Sequence, residues 1–273
     1  MFAKSADLGN FPYVKNLAPE NNSEHALGSF RLDLDVFDKS SADFSDLRII
    51  DDTGTEIPFL IRAVTGSGAI ITNRVVDFDQ KQDNRKTIIE FKSRREPVRG
   101  IKIFTAEPNF SRQVLVEGQD SSGNYRTYMR GTCSFVKVGD VERDNRTLSL
   151  PTTARCSAWR LTIDNKDNPE LQVTDITVIT KEYEAVFINR HPGAYRLIYG
   201  GKGKPPRYDL STIIRTSGSS HPAPYRLGEE LENEDYAKAS WGLRIGGKAI
   251  LTIAILLMIG ILIWGIATTS KQI

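Results

Sequence analysis

Residues 249–267 read AILTIAILLMIGILIWGIA, nineteen positions with no charge, no proline and two glycines. At about 1.5 Å of rise per residue a helix of this length spans roughly 28 Å, close to the hydrocarbon thickness of a bilayer. A helix buried in a soluble domain keeps a polar stripe at its own period, and this run has none. The expectation is a single transmembrane helix. Trp264 within the run and Trp241 before it are suited to the two interfaces. Nearly all of the chain is then a head on one side of the membrane.

Which side is left open by the residues themselves. The opening MFAKSADLGNFPYVKNLAPE holds no apolar h-region of a secretory signal. Either a signal has been removed, or the head is cytosolic and the chain tail-anchored. Lys238, Arg244 and Lys248 precede the run and Lys271 follows it, which nominally favours a cytoplasmic head.

The head reads as β. Residues 30–37 alternate, with Leu32, Leu34 and Val36 on one face and Arg31, Asp33 and Asp35 on the other, the period of a half-buried strand. Residues 46–61 place two β-rich runs around Asp52, Thr53 and Gly54, a hairpin signal. The acidic pair Asp51 and Asp52 fits that turn better than a calcium site. Short Ile/Val/Phe-rich runs follow at 87–91, 100–105, 112–118, 126–135 and 147–150, with a hairpin loop over 118–125. Residues 157–164 alternate again, pointing Trp159, Leu161 and Ile163 inward. In residues 171–179 the pattern slips by one at Asp175, the mark of a bulge. Many short strands without long amphipathic helices between them imply an all-β fold of one or two jelly-roll or β-sandwich domains.

The expected organisation runs in series. A leading arm (1–28) is followed by an N-terminal β-sandwich portion (29–84), a jelly roll (85–184) and a C-terminal β segment (185–215). Then come a Ser/Gly/Pro/Glu-rich stalk and juxtamembrane stretch (216–248) and the span (249–267).

Two resemblances attach to these stretches. Residues 112–125 (RQVLVEGQDSSGNY) and 159–178 resemble the strand–turn–aromatic and closing segments of discoidin-like, or galactose-binding-like, domains, which are jelly rolls. The family often has tryptophan after the turn, where this chain has Tyr125 or Tyr128. The whole layout is also similar to an uncharacterised group of bacterial membrane-anchored proteins. The matching parts are the DLRIIDDTGTEIP hairpin at 46–58, YRLIYGGKGKPPRYDL at 195–210 and the anchor. This resemblance implies a periplasmic or surface-exposed head and supplies no activity.

For function, the sequence excludes more than it names. Thirty-six Lys and Arg against 34 Asp and Glu, interspersed, give a net charge of +2 and no clustered basic face for nucleic acid. His25, His191 and His221 are scattered, no GxSxG elbow exists, and nothing asks for a metal or cofactor. The lysine- and glycine-rich stretch at 200–204 lacks the phosphate-cradle pattern. The reading is a non-enzymatic head that binds a glycan or surface protein, with a structural subunit of a membrane complex as the alternative and a glycoside hydrolase behind both. Candidate ligand contacts are Asp120, Asn124, Tyr125, Arg126 and Tyr128, an aromatic and polar set beside a sandwich loop. Cys133 and Cys156 either form one bridge, if neighbouring strands bring them together, or remain two buried thiols.

Overall fold

A computed structural model describes residues 8–21, 26–64, 71–189, 194–201, 205–206, 208, 222–236, 252, 255–259 and 261. In chain order these form β1 (Tyr13–Pro19), β2 (Leu27–Arg31), helix α1 (Leu34–Lys39), β3 (Arg48–Ile50), β4 (Glu56–Ile57) and β5 (Phe59–Ala63). Next come β6 (Ile71–Val76), β7 (Asp79–Asp83), β8 (Lys86–Lys92), β9 (Val98–Thr105), β10 (Phe110–Gln119) and β11 (Tyr125–Val138). The series ends with β12 (Val141–Asn145), β13 (Thr147–Ala154), β14 (Ala158–Asp164), β15 (Val173–Lys181), β16 (Tyr183–Ile188), β17 (Tyr195–Tyr199) and β18 (Ala223–Glu232).

Strands β6–β15 make a sandwich. A six-stranded sheet in the order β12-β11-β10-β14-β8-β7 faces a four-stranded one in the order β13-β9-β15-β6. The inward residues of both fill one core, with Trp159, Leu161, Ile163, Ile89, Ile101, Ile103, Ile176 and Val178 all fully buried. Each such aliphatic side chain stabilises the fold by about 1.5–3 kcal/mol. The alternation read at residues 157–164 therefore decides the face correctly, and the register of β15 does shift between Val173 and Asp175.

The other strands form an eight-stranded sheet in the order β4-β3-β17-β1-β18-β2-β16-β5. Its two edge strands, β4 and β5, are consecutive in the chain with only Pro58 between them. Ile57 and Phe59, with one residue between them, lie at most about 7 Å apart, so the sheet must curl until its edges meet. Proline suits that corner because it has no N–H to leave unpaired. The inside of the curl holds Leu17, Phe30, Val36, Ile57, Phe59, Phe187, Tyr195 and Tyr199. Within the hairpin between β3 and β4, Asp51 Oδ1 accepts from Thr53 N (3.0 Å), Thr53 Oγ1 (2.6 Å) and Thr55 N (2.8 Å), and Gly54 takes φ +80°. The Asp51 carboxylate is thus occupied in building the turn.

Three features differ from the expected series. The sandwich is inserted rather than appended: the chain leaves the curled sheet after Ala63 and returns at Tyr183, which pairs with Ala63. The alternating stretch 30–37 is not one strand. It breaks after Arg31 because Asp33 caps a helix, its Oδ1 accepting from Val36 N at 3.1 Å. Val36 and Phe37, adjacent in sequence, are both buried, which a strand with one covered face does not allow. Finally, part of the expected arm is β1 and part of the expected stalk is β18, which pair with each other inside the sheet. The polar pattern of β18 hides a strand whose Ala223 and Tyr225 are buried.

The expected span lies largely outside the described residues. Of it only Thr252, 255–259 and Ile261 are described, as helix, and no helix among the described residues is long and apolar enough to cross a membrane. His25, His191 and His221 also lie outside them.

Candidate ligand cleft

The hairpin between β10 and β11 carries most of the residues expected to touch ligand, and their side chains mainly build the hairpin. Asp120 Oδ1 accepts from Ser122 N (2.9 Å) and Asn124 N (3.0 Å), and Arg126 Nε pairs with Asp120 Oδ2 at 2.9 Å. The backbone N–H of Asn124 is the chief cause holding the Asp120 carboxyl below its ordinary range. Asp120, Asn124 and Arg126 thus close a turn whose Gly123 takes φ +83°.

Tyr128 points the other way. Its ring lies 5.4 Å from that of Trp159, and its hydroxyl accepts from the Cys156 thiol at 3.4 Å. Burial, reinforced by that thiol, pushes its phenol up to about 12. Gly118 makes the packing feasible, because a β-carbon there would sit 2.5 Å from Cys156 Sγ and 2.8 Å from the Tyr128 ring. Cys133 instead sits opposite Arg112, six positions along β10 from Gly118, which is about 20 Å of strand. A disulfide needs α-carbons within about 7 Å. Both thiols are free and buried, so the bridging alternative is set aside. Burial raises the Cys133 thiol to about 12, leaving it unreactive.

Tyr125 reaches a site. It joins Gln119 and Ala158 on the wall of a cleft of about 620 Å³ at the end of the sandwich where the chain crosses from β6 to β7. Val76, Phe78 and Phe91 give the cleft an apolar floor, while Arg74, Asp77, Asp79, Glu90 and Lys92 give it charges of both signs. The Arg160 guanidinium, on the outer face of β14, sits 3.9 Å from the centre of the Tyr125 ring and donates to Glu90 Oε1 at 2.6 Å. Arg160, more than any other group, keeps the Glu90 carboxyl below its usual range. Asp79 stands directly opposite Glu90 across β7 and β8, a like-charge pairing that is destabilising by itself. Arg160 and Lys81, the latter 3.4 Å from Glu90, offset it.

At the other wall Arg74 is ion-paired with Glu96, whose side chain is 2% exposed. Arg74 Nε and Glu96 Oε2 are buried without a hydrogen-bond partner among the described residues. A second, smaller recess of about 290 Å³ lies beside β5, between Phe44, Phe59, Pro206 and Tyr208. No group of three or more His, Cys, Asp or Glu among the described residues is arranged to hold a metal.

Of the five expected contact residues, then, the cleft contains Tyr125. Arg74, Phe78, Glu90, Lys92 and Arg160 escaped the sequence reading. Glu90 and Arg160 carried a usable signal, since each alternates with inward residues on neighbouring strands. Arg74 and Phe78 carried none, because they lie in a stretch whose strands were not legible. No model of a known protein family matches the chain, and none of the curated proteins matches it.

Proposed function

We propose that this is a membrane-anchored, non-enzymatic β-protein whose sandwich binds a glycan in the Tyr125 cleft, outside the cytoplasm. The observation that carries the reading is the pairing of aromatic surface with charges of both signs in one recess. A sugar presents C–H faces that stack on rings, and hydroxyls that accept hydrogen bonds from Arg and Lys and donate them to Asp and Glu. Tyr125 and Phe78 offer the first; Arg74, Lys92, Asp77 and Asp79 offer the second. Glu90, held in its ionised form by Arg160, is suited to accept hydrogen bonds from sugar hydroxyls rather than to donate a proton. The nineteen-residue apolar run at 249–267 is the anchor.

A panel of immobilised oligosaccharides, probed with the full-length protein in detergent, tests the reading. At least one class should be retained, and Tyr125→Ala should weaken it about tenfold or more, as loss of a stacking ring does. A panel with no retained member, or equal retention by the variant, would refute it. Protease shaving of intact cells tests the location: the head should be removed.

A structural role in a membrane assembly has one observation in its favour. Val138 (64% exposed) and Val141 (55%) project at the tip of the β11–β12 hairpin. That reading expects a large stable particle on gentle detergent extraction, and a monomeric one speaks against it.

A further inference from the structure

The cleft is tied to the strand nearest the anchor by a continuous series of charged contacts. The link begins with residues 93–97, the loop joining β8 to β9. Glu96 in this loop holds Arg74 on the cleft wall. Its neighbours face the other way, into α1. Arg94 bonds Asp35 Oδ1 at 2.7 Å and approaches Asp38 Oδ2 at 3.5 Å, while Arg95 Nη1 donates to the Asp38 carbonyl at 3.3 Å. Arg95 also adopts φ +53°, a conformation that costs a non-glycine residue energy and persists only where its surroundings impose it. Arg155 completes the clamp, donating from Nε to the Arg95 carbonyl (2.9 Å) and from Nη2 to the Phe37 carbonyl at the end of α1 (2.5 Å). From the last residue of α1, Lys39 pairs with Glu230 on β18. Glu230 also accepts from the Tyr199 hydroxyl at 2.5 Å. Beyond β18 the chain runs toward residues 249–267.

We propose that the 93–97 loop and α1 form a relay through which the state of the Arg74–Glu96 pair in the cleft is communicated to β18. Its use as a signal rests on the reading of the cleft as a ligand site; its existence does not. An anionic or hydroxyl-bearing ligand that engages Arg74 competes with Glu96. Glu96 is buried, so it cannot replace that partner with water while the loop stays in place. The loop must then shift, and Arg94 and Arg95 move with it. A hydrogen-bonded turn clamped between two packed sheets resists gradual deformation, and transmission requires that the 93–97 loop respond by switching rather than by bending.

The test needs no ligand. Hydrogen exchange is followed on the full-length chain in detergent for wild type, Glu96→Gln and Arg74→Gln. Glu96→Gln keeps the side-chain shape and weakens only the ionic tie. The relay predicts that amides of α1, such as Phe37 N and Ser40 N, and those of β18 exchange about threefold faster or more in Glu96→Gln, a coupling of the size known between linked sites. The β11–β12 hairpin should be unaffected. Acceleration confined to residues 93–97 would overturn the proposal. If either variant is too unstable to compare, a double-mutant cycle of Glu96→Gln with Lys39→Met by thermal unfolding decides. These residues do not touch, so strictly additive effects would overturn the relay and non-additive ones would support it. Failure of every oligosaccharide to bind would leave this outcome unchanged and count only against the cleft reading.

Discussion

Replacing Arg155 with methionine is the perturbation that best probes how the two halves of the head hold together. Arg155 sits on the sandwich, yet it donates to four groups on the curled-sheet side: Ser41 O (2.6 Å), Ala42 O (3.1 Å), Phe37 O (2.5 Å) and Ser40 Oγ (3.0 Å). Its guanidinium also lies 4.2 Å from the centre of the Phe44 ring. Burial, with help from neighbouring Arg95, pulls it down to about 10, so it remains charged at neutral pH. In the variant, water can serve the exposed Ala42 carbonyl and reach that of Ser41. The carbonyls of Phe37 and Arg95 are stranded, at about 1–3 kcal/mol each. Loss of the cation–ring contact adds about 0.5–2 kcal/mol. Against this, the methionine stem retains part of the packing and the desolvation of a cation is no longer needed. The net is about 3 kcal/mol, which for a head of this size lowers Tm by roughly 6–12 °C. Arg155→Lys keeps the charge but not the planar fork and should fall between. Differential scanning calorimetry reads the shift. A methionine variant melting within about 1 °C of wild type would refute the reasoning, because surface substitutions have effects of that size.

Other substitutions test the sandwich and the charge network. Gly118→Val should destabilise by about 1–3 kcal/mol or more, since its side chain must displace Cys156 and the Tyr128 ring; denaturant melts that match wild type would contradict this. Trp159→Ala should cost about 3–5 kcal/mol. Trp159→Phe should cost much less, as the indole N–H it removes is buried without an acceptor among the described residues. Acid should weaken the fold. Lys15 and Arg94 hold the Asp35 carboxyl below its ordinary range, as Arg160 does for Glu90, and folded-state values below unfolded ones mean stability that is present above the ordinary carboxylate pKa and lost as pH falls through the lowered ones. Tm measured from pH 7 downward should therefore hold to about pH 4 and then drop; an unchanged Tm at pH 3 would speak against these pairs.

How much of this was legible follows from where the information lay. The sandwich core was readable because Trp159, Leu161 and Ile163 alternate with polar residues, and one covered face imposes that period directly. The bulge at Asp175 was readable for the same reason. The insertion was not, because nothing local records that Ala63 and Tyr183 are neighbours; pairing over such a separation depends on the whole sheet. Residues 30–37 misled because their alternation satisfies a strand while Asp33 satisfies a helix cap, and burial of both Val36 and Phe37 decides for the helix. β18 was obscured by its glutamates, of which Glu230 serves Lys39 and Tyr199 rather than solvent. At the candidate site, the loop after β10 drew attention to residues that build the turn. The cleft itself is assembled from β6, β7, β8, β10, β11 and β14, whose meeting point is a property of the fold.

The central claim, that ligand enters the cleft rather than the hairpin tip, is tested most directly by the aromatic ring signals of the full-length protein in detergent during titration with the oligosaccharide retained on the panel. The account predicts shifts at Tyr125 and Phe78, with Tyr128 unmoved against Trp159. Shifts at Tyr128 with Tyr125 and Phe78 silent would contradict it.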